Sequence, residues 1–219
     1  MALQLERYVE QLPHWPYTGR EILAQFDEET IIVYQAYRPE IGLYAARNGT
    51  FGGEFSFSRM TWIKPNFLWM MFRSGWGTKK GQEVTLAIRV RRTGFDAILR
   101  EAIPSSFSPE AFDSERTWRA AGESSSGRMQ WDPDHDPSGA PLGRRAIQLG
   151  VRGETLARFV NEWIVSIEDV SELVASQRAR PHAELLLPRE RACTVSPDLR
   201  IKLGMAESGA TANGQRSQR

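Results

Sequence analysis

With one cysteine, Cys193, in 219 residues, the chain cannot form an internal disulfide, and a reducing compartment is its natural setting. Long hydrophobic runs are missing as well. The longest, Phe67 to Phe72, is far too short to cross a bilayer. Charge of one sign is not in excess: 28 Lys and Arg stand against 27 Asp and Glu, a formal net charge of +1. No global field therefore draws the chain to nucleic acid or membrane, and any basic patch must be local. The three histidines, His14, His135 and His182, lack metal-spaced partners, which makes a zinc site a poor reading. No Gly-x-Ser-x-Gly elbow, Walker loop or dinucleotide fingerprint is present. The first ten residues lack the basic segment and apolar run of a secretory signal, so a cytoplasmic protein with no membrane partner is expected.

What the chain does have is aromatic density. Between Phe55 and Trp76 lie seven aromatic residues together with Arg59, Lys64 and Arg73. Lys64-Pro65 suits the opening of a helix, Gly75 its close, and the residues between leave no polar face, as in a buried helix. Ile31 to Tyr37 reads as a strand, with Val33, Gln35 and Tyr37 on one face and Ile32, Tyr34 and Ala36 on the other. Further strands are expected at Phe55–Arg59, Glu83–Arg92, Ala146–Val151, Trp163–Ile167 and Glu184–Leu187. Helices are expected after Thr18 (a capping box with Glu21), after Pro39 as far as Asn48-Gly49, over Phe95–Ala102, from Ser108-Pro109, over Leu156–Val160 and after Asp169. Ala121–Gly127 reads as an exposed loop and Trp131–Gly139 as a turn-rich segment.

This mixture, with no regular βαβ alternation, indicates an α+β domain with a split, mostly antiparallel sheet flanked by helices. The expected organisation is a helix and linker over 1–17, one domain over 18–203, and a disordered tail over 204–219.

Several polar residues are candidates for chemistry. Asp132, Asp134 and Asp136 alternate as in the start of a calcium loop. The glycine and glutamate that such a loop needs are replaced by Pro137 and Gly143, so an Asx-rich turn is the better reading. Arg89, Arg91 and Arg92 are read as a solvated strand face. Gln35 sits in the middle of a strand that should be buried. Gln148 has the small neighbours Ala146 and Gly150 on its own face, which leaves room for an approaching group. Arg59, Lys64 and Arg73, embedded among aromatics, call for acidic partners, a cleft rim or an anionic ligand.

Val33-Tyr-Gln-Ala-Tyr37, Arg59-Met-Thr-Trp-Ile-Lys-Pro65, Phe67-Leu-Trp-Met70, Arg73-Ser-Gly-Trp76 and Arg144-Arg-Ala-Ile-Gln-Leu-Gly150 together resemble the domain-of-unknown-function family 4291, from about Arg20 to Arg191. In order and spacing of elements the chain is also similar, more distantly, to the ADP-ribosyltransferase fold of the DNA-modifying and RNA 2′-phosphotransferase branches. That resemblance implies NAD as cofactor, no metal, and a nucleic acid or nucleotide as acceptor. It implies catalytic roles for Gln35, Arg59 and Gln148, and cofactor binding by Tyr37, Ser58, Thr61, Trp62, Lys64 and Arg73. Gln35 stands where that fold usually has histidine or arginine, and Gln148 where a catalytic glutamate would be sought. Glutamine supplies neither base nor charge. The alternative is a module that binds RNA ends, nucleotides or small anions in the same cleft without catalysis.

Overall fold

The computed structural model describes residues 3–109 and 111–205. The expected tail therefore lies outside the described residues, apart from Gly204 and Met205, and Met205 is buried in the core. In chain order the elements begin with strand β1 (Leu5–Arg7), helix α1 (Tyr8–Gln11), β2 (Gly19–Arg20), β3 (Leu23–Ala24), β4 (Thr30–Tyr37) and α2 (Pro39–Asn48). They continue with β5 (Thr61–Ile63), α3 (Phe67–Ser74), β6 (Val84–Arg91), α4 (Arg92–Glu101), β7 (Ala102–Pro104) and α5 (Glu115–Ser124). The last are β8 (Gly127–His135), β9 (Pro141–Val151), α6 (Gly153–Arg158), β10 (Ile164–Asp169), α7 (Ser171–Gln177), β11 (Leu186–Pro188), β12 (Arg191–Ala192) and α8 (Pro197–Lys202).

Two sheets carry the fold. One has the order β10-β6-β4; the other runs β2-β9-β8-β7, with β5 pairing β9 on the β2 edge. Among the described residues six ladders are antiparallel and two, β2–β9 and β7–β8, are parallel. The sheets meet at one antiparallel bridge, Tyr34 with Lys64, in which each backbone N–H donates to the other carbonyl at 2.7 and 3.1 Å. The expected split sheet is thus present, and the split falls between β4 and β5.

Alternation along β4 and β6 divides the interior. Ile31, Val33, Leu86, Ile88 and Val90 join a large core with α4, α6 and the inner face of β8–β9. Ile32, Tyr34 and Ala87 face a second core under α3. Helix α3 starts at Phe67, two residues after the opening expected at Lys64-Pro65, because Asn66 is its cap. The Asn66 side chain accepts from Trp69 N at 2.7 Å, and Gly75 closes the helix with φ at 58°. Helix α2 likewise starts on Pro39 and stops at Gly49, φ 66°.

Four local readings are corrected. The chain after Thr18 is extended rather than helical, because Ile22, Leu23 and Ala24 are all buried and their backbone goes to tertiary partners. Ile22 O accepts from Cys193 N and Gln25 O from Ile32 N. Phe55–Arg59 is turn, and the strand starts at Thr61; Phe55 instead stacks on Phe51 at 4.5 Å. The helix expected from Ser108 begins at Glu115, where Ser114 and Thr117 form the capping box, and it runs through the presumed loop to Ser124. Trp131–His135 is strand, so only Asp136–Ala140 is the turn, with Asp136 Oδ1 accepting from Ser138 N and Ala140 N at 2.9 Å each. The N-terminal segment is part of the fold too, since β1 pairs β11 and Trp15 is buried.

Candidate functional site

The seam between β4 and β5 has two faces, and the expected site residues divide between them. On the core face, Gln35 Nε2 donates to Thr61 Oγ1 at 2.6 Å and to Trp62 O at 3.3 Å, and the Tyr37 hydroxyl meets Thr61 Oγ1 at 2.6 Å. Thr61 pairs with Val151 and Ile63 with Leu149, all on the core side of the sheet. Burial pushes the Tyr37 phenol up, so it stays protonated. Gln35, Tyr37 and Thr61 therefore pin the two sheets together across the split.

On the outer face, β9 presents Gln148 and Gly150, β8 presents Gln130 and Asp132, and β5 presents Trp62, with Lys64 one residue past its end. Gln130 and Gln148 are cross-strand partners, and their amides hold one carboxylate between them. Gln130 Nε2 donates to Asp132 Oδ1 at 2.7 Å and Gln148 Nε2 to Oδ2 at 2.8 Å. Lys64 is 7% exposed, and no hydrogen bond or ion pair to its ammonium is present among the described residues. Burial first, and then the charge of Arg73, lower its pKa from 10.5 to about 8, while Asp132 pulls it back up. Arg73 is exposed in the last turn of α3, where a cation suits the helix dipole. Arg59 and Ser58 are exposed in the preceding turn, with Ser58 Oγ 3.1 Å from Ser56 Oγ.

Gln35 and Gln148 thus do not converge: strand alternation sets them on opposite faces of the sheet. The room expected beside Gly150 is taken, since a Cβ there would lie 2.6 Å from Met60 Sδ and 3.2 Å from Trp62 Cε2. Nor is Arg89 a solvated residue, because it is 6% exposed and donates to Thr30 Oγ1 at 3.0 Å. A recess of about 410 Å³, lined by Arg20, Ser105, Phe112, Gln130, Trp131 and Lys202, opens by β7 and touches the Lys64 group only through Gln130. The three aspartates go separate ways, to the glutamines, to Arg144 and to the Asp136 turn, and no metal-holding group of three ligands occurs among the described residues.

The covered end of the same face holds two buried carboxylates, one that the sequence reading assigned to a turn and one that it passed over. Asp134 Oδ2 accepts from Arg144 Nε at 2.6 Å, with Trp15 laid on the guanidinium at 4.9 Å. Glu190, 1% exposed, reaches from the chain's far end to the start of α3. It accepts from Phe67 N at 2.6 Å and Asn66 Nδ2 at 3.0 Å. Asp132 was noted only as part of an Asx-rich turn, since Pro133 beside it made the stretch look like one. The signal that could have found it was polar alternation, Gln130 and Asp132 against Met129 and Trp131. Glu190 had no local signal, because its partners lie more than 120 residues away in the chain.

Burial pushes Glu190 well above the usual glutamate value of 4.5, against the pull of the Phe67 N–H. An acid with a raised folded pKa holds its proton longer in the native state. The resulting stabilisation is complete below the unfolded value and is lost as pH rises toward the folded one. Glu190→Gln lacks this slope, so its stability relative to the native protein should improve as pH is raised from 4.5. Urea midpoints at several pH values measure this, and parallel curves would refute it.

The fold and this face define an α+β protein with a cationic, amide-lined polar surface at a sheet seam. The chain belongs to the family described as domain of unknown function (DUF4291), whose model matches residues 21–192. No curated protein matches it. Among the described residues, no helix is long and apolar enough to cross a membrane.

Proposed function

We propose that the protein is an enzyme of the ADP-ribosyltransferase type that binds NAD on the outer face of the seam and transfers ADP-ribose to a nucleic acid or nucleotide. The observation that carries this reading is a nearly buried Lys64, without an ion pair among the described residues, that feels the charge of Asp132, a carboxylate clamped by two glutamine amides. A buried cation without an internal counter-ion is stabilised by an anionic ligand, and Lys64 with Arg73 offers two cations to a pyrophosphate. Trp62, half-buried beside Gly150, supplies an aromatic surface for a base or nicotinamide.

Asp132 takes the part for which glutamine is unfit. Its fixed negative charge stabilises the positive charge that develops on the ribose when nicotinamide leaves, and it can accept the proton of the attacking hydroxyl. Gln130 and Gln148 hold it in place with their amides, a positioning role. Gln35 and Tyr37 belong to the other face and take no part beyond holding the sheets together. Arg59, on the exposed turn before β5, is available to the acceptor's phosphates.

Calorimetric titration with NAD and with short RNA and DNA tests this directly, together with chromatography for released nicotinamide. NAD binding and nicotinamide release are expected. Gln148→Ala should weaken binding about tenfold or more, the equivalent of one lost hydrogen bond to a charged group, while leaving the Tm within a few degrees. Ligand recovered unchanged, with no nicotinamide, would make the site a binding module. No binding of any of the three by a folded protein would remove the reading.

A further inference from the structure

Lys64 has a second capacity that phosphate binding does not use, and it extends the reading of this same face. We infer that Lys64 is an amine nucleophile that condenses with the aldehyde of a phosphorylated aldose, the ring-opened ribose of ADP-ribose included. Three features of the cluster carry it. Lys64 is 7% exposed, so most of its side chain is withdrawn from water. The charged groups acting on it are Arg73 from α3 and Asp132 from β8, and Arg73, a second cation, disfavours the protonated form. No hydrogen bond or ion pair occupies the amine among the described residues, whereas Lys202, for comparison, donates to Arg100 O.

The value near 8 means that about a tenth of the molecules carry a neutral Lys64 amine at pH 7. Its lone pair adds to the aldehyde carbon and the carbonyl oxygen takes a proton. Asp132, the carboxylate whose charge acts on the amine, is the group to receive the proton that the nitrogen sheds. Loss of the hydroxyl as water then gives an imine, so that amine and aldehyde become imine and water. Arg73 at the rim anchors the sugar's phosphate.

The chain has four lysines, Lys64, Lys79, Lys80 and Lys202, which makes the outcome easy to read. The full chain is incubated at pH 7 with ribose 5-phosphate and sodium cyanoborohydride, which reduces an imine to a stable secondary amine, and adducts are mapped by peptide mass spectrometry. Lys64 should be labelled several-fold faster than the exposed Lys79 and Lys80, and faster by ribose 5-phosphate than by ribose. Arg73→Gln, an exposed substitution, should slow Lys64 labelling at pH 7 several-fold. Labelling of Lys64 no faster than that of Lys79 and Lys80, or none at all, would overturn the inference. NAD titration separates the two readings. Labelling absent with NAD binding intact removes the imine alone, and selective labelling without NAD binding removes the nucleotide reading alone.

Discussion

Replacing Asp134 with alanine is expected to destabilise the protein by about 3–5 kcal/mol, the usual result of breaking one half of a buried ion pair. Arg144 would be left 6% exposed with its guanidinium charged, because arginine cannot discard its proton. Its Nη2 already lacks a partner, and the His135 N–H would lose the Asp134 oxygen it now meets at 2.8 Å. Arg144→Ala should be milder. Burial has already raised the Asp134 pKa despite the pull of Arg144, so the stranded carboxyl can neutralise itself by taking a proton. Guanidinium unfolding of both variants measures the asymmetry, and an arginine variant as damaged as the aspartate one would contradict it. A double variant with alanine at Asp134 and methionine at Arg144 should recover much of the loss, since an apolar pair strands no charge.

Lys64→Met is expected to move stability the other way. A lysine whose folded pKa is about 8 rather than 10.5 is a burden on the fold when protonated. Its removal should therefore stabilise the protein at pH 7, by up to roughly 3 kcal/mol when the shift is converted to free energy. Between pH 8 and 10.5 the unfolded chain holds the lysine proton more firmly than the native one, so the native protein gains stability as pH rises. The advantage of the methionine variant should therefore be greatest below pH 8 and shrink above it. Denaturation midpoints at pH 7 and pH 10 test the sign, and a variant less stable at pH 7 would refute it. The same variant should lose NAD binding. A residue that costs stability and supports binding is what a functional site requires.

Much of the scaffold was written in local pattern. The alternation of β4 and β6 correctly assigned the two faces of the central strands, Pro39 and Gly49 bounded α2, and Gly75 ended the aromatic helix. Those signals are local because strand alternation and helix capping depend on residues a few positions apart. Short extended segments failed for the converse reason. Leu23–Ala24 is a strand only because Arg191–Ala192 lies beside it, and the capping-box signal of Thr18 and Glu21 had no means of registering that partner.

The site divides along the same line. The chain's own sequence singled out Gln35, Arg59, Lys64, Arg73 and Gln148 as polar or charged residues in places that demand an explanation, and it identified the family over nearly all of the matched span. The choice of those residues followed from composition and period, since a cation among aromatics or a glutamine in a buried strand is conspicuous wherever the chain goes next. The family followed from the resemblance of its motifs. Which of them share a surface was decided by tertiary structure. One residue's difference in strand register sends a side chain to the opposite face, so the pairing of β5 with β9 set Trp62 opposite Gly150 on the outer face and left Thr61 on the other, where it meets Gln35. The pairing of β8 with β9 across their turn brought Asp132 between two glutamines, and the return of the chain from β11 set Glu190 at the start of α3. Contacts between residues that are far apart in sequence have no local period to announce them.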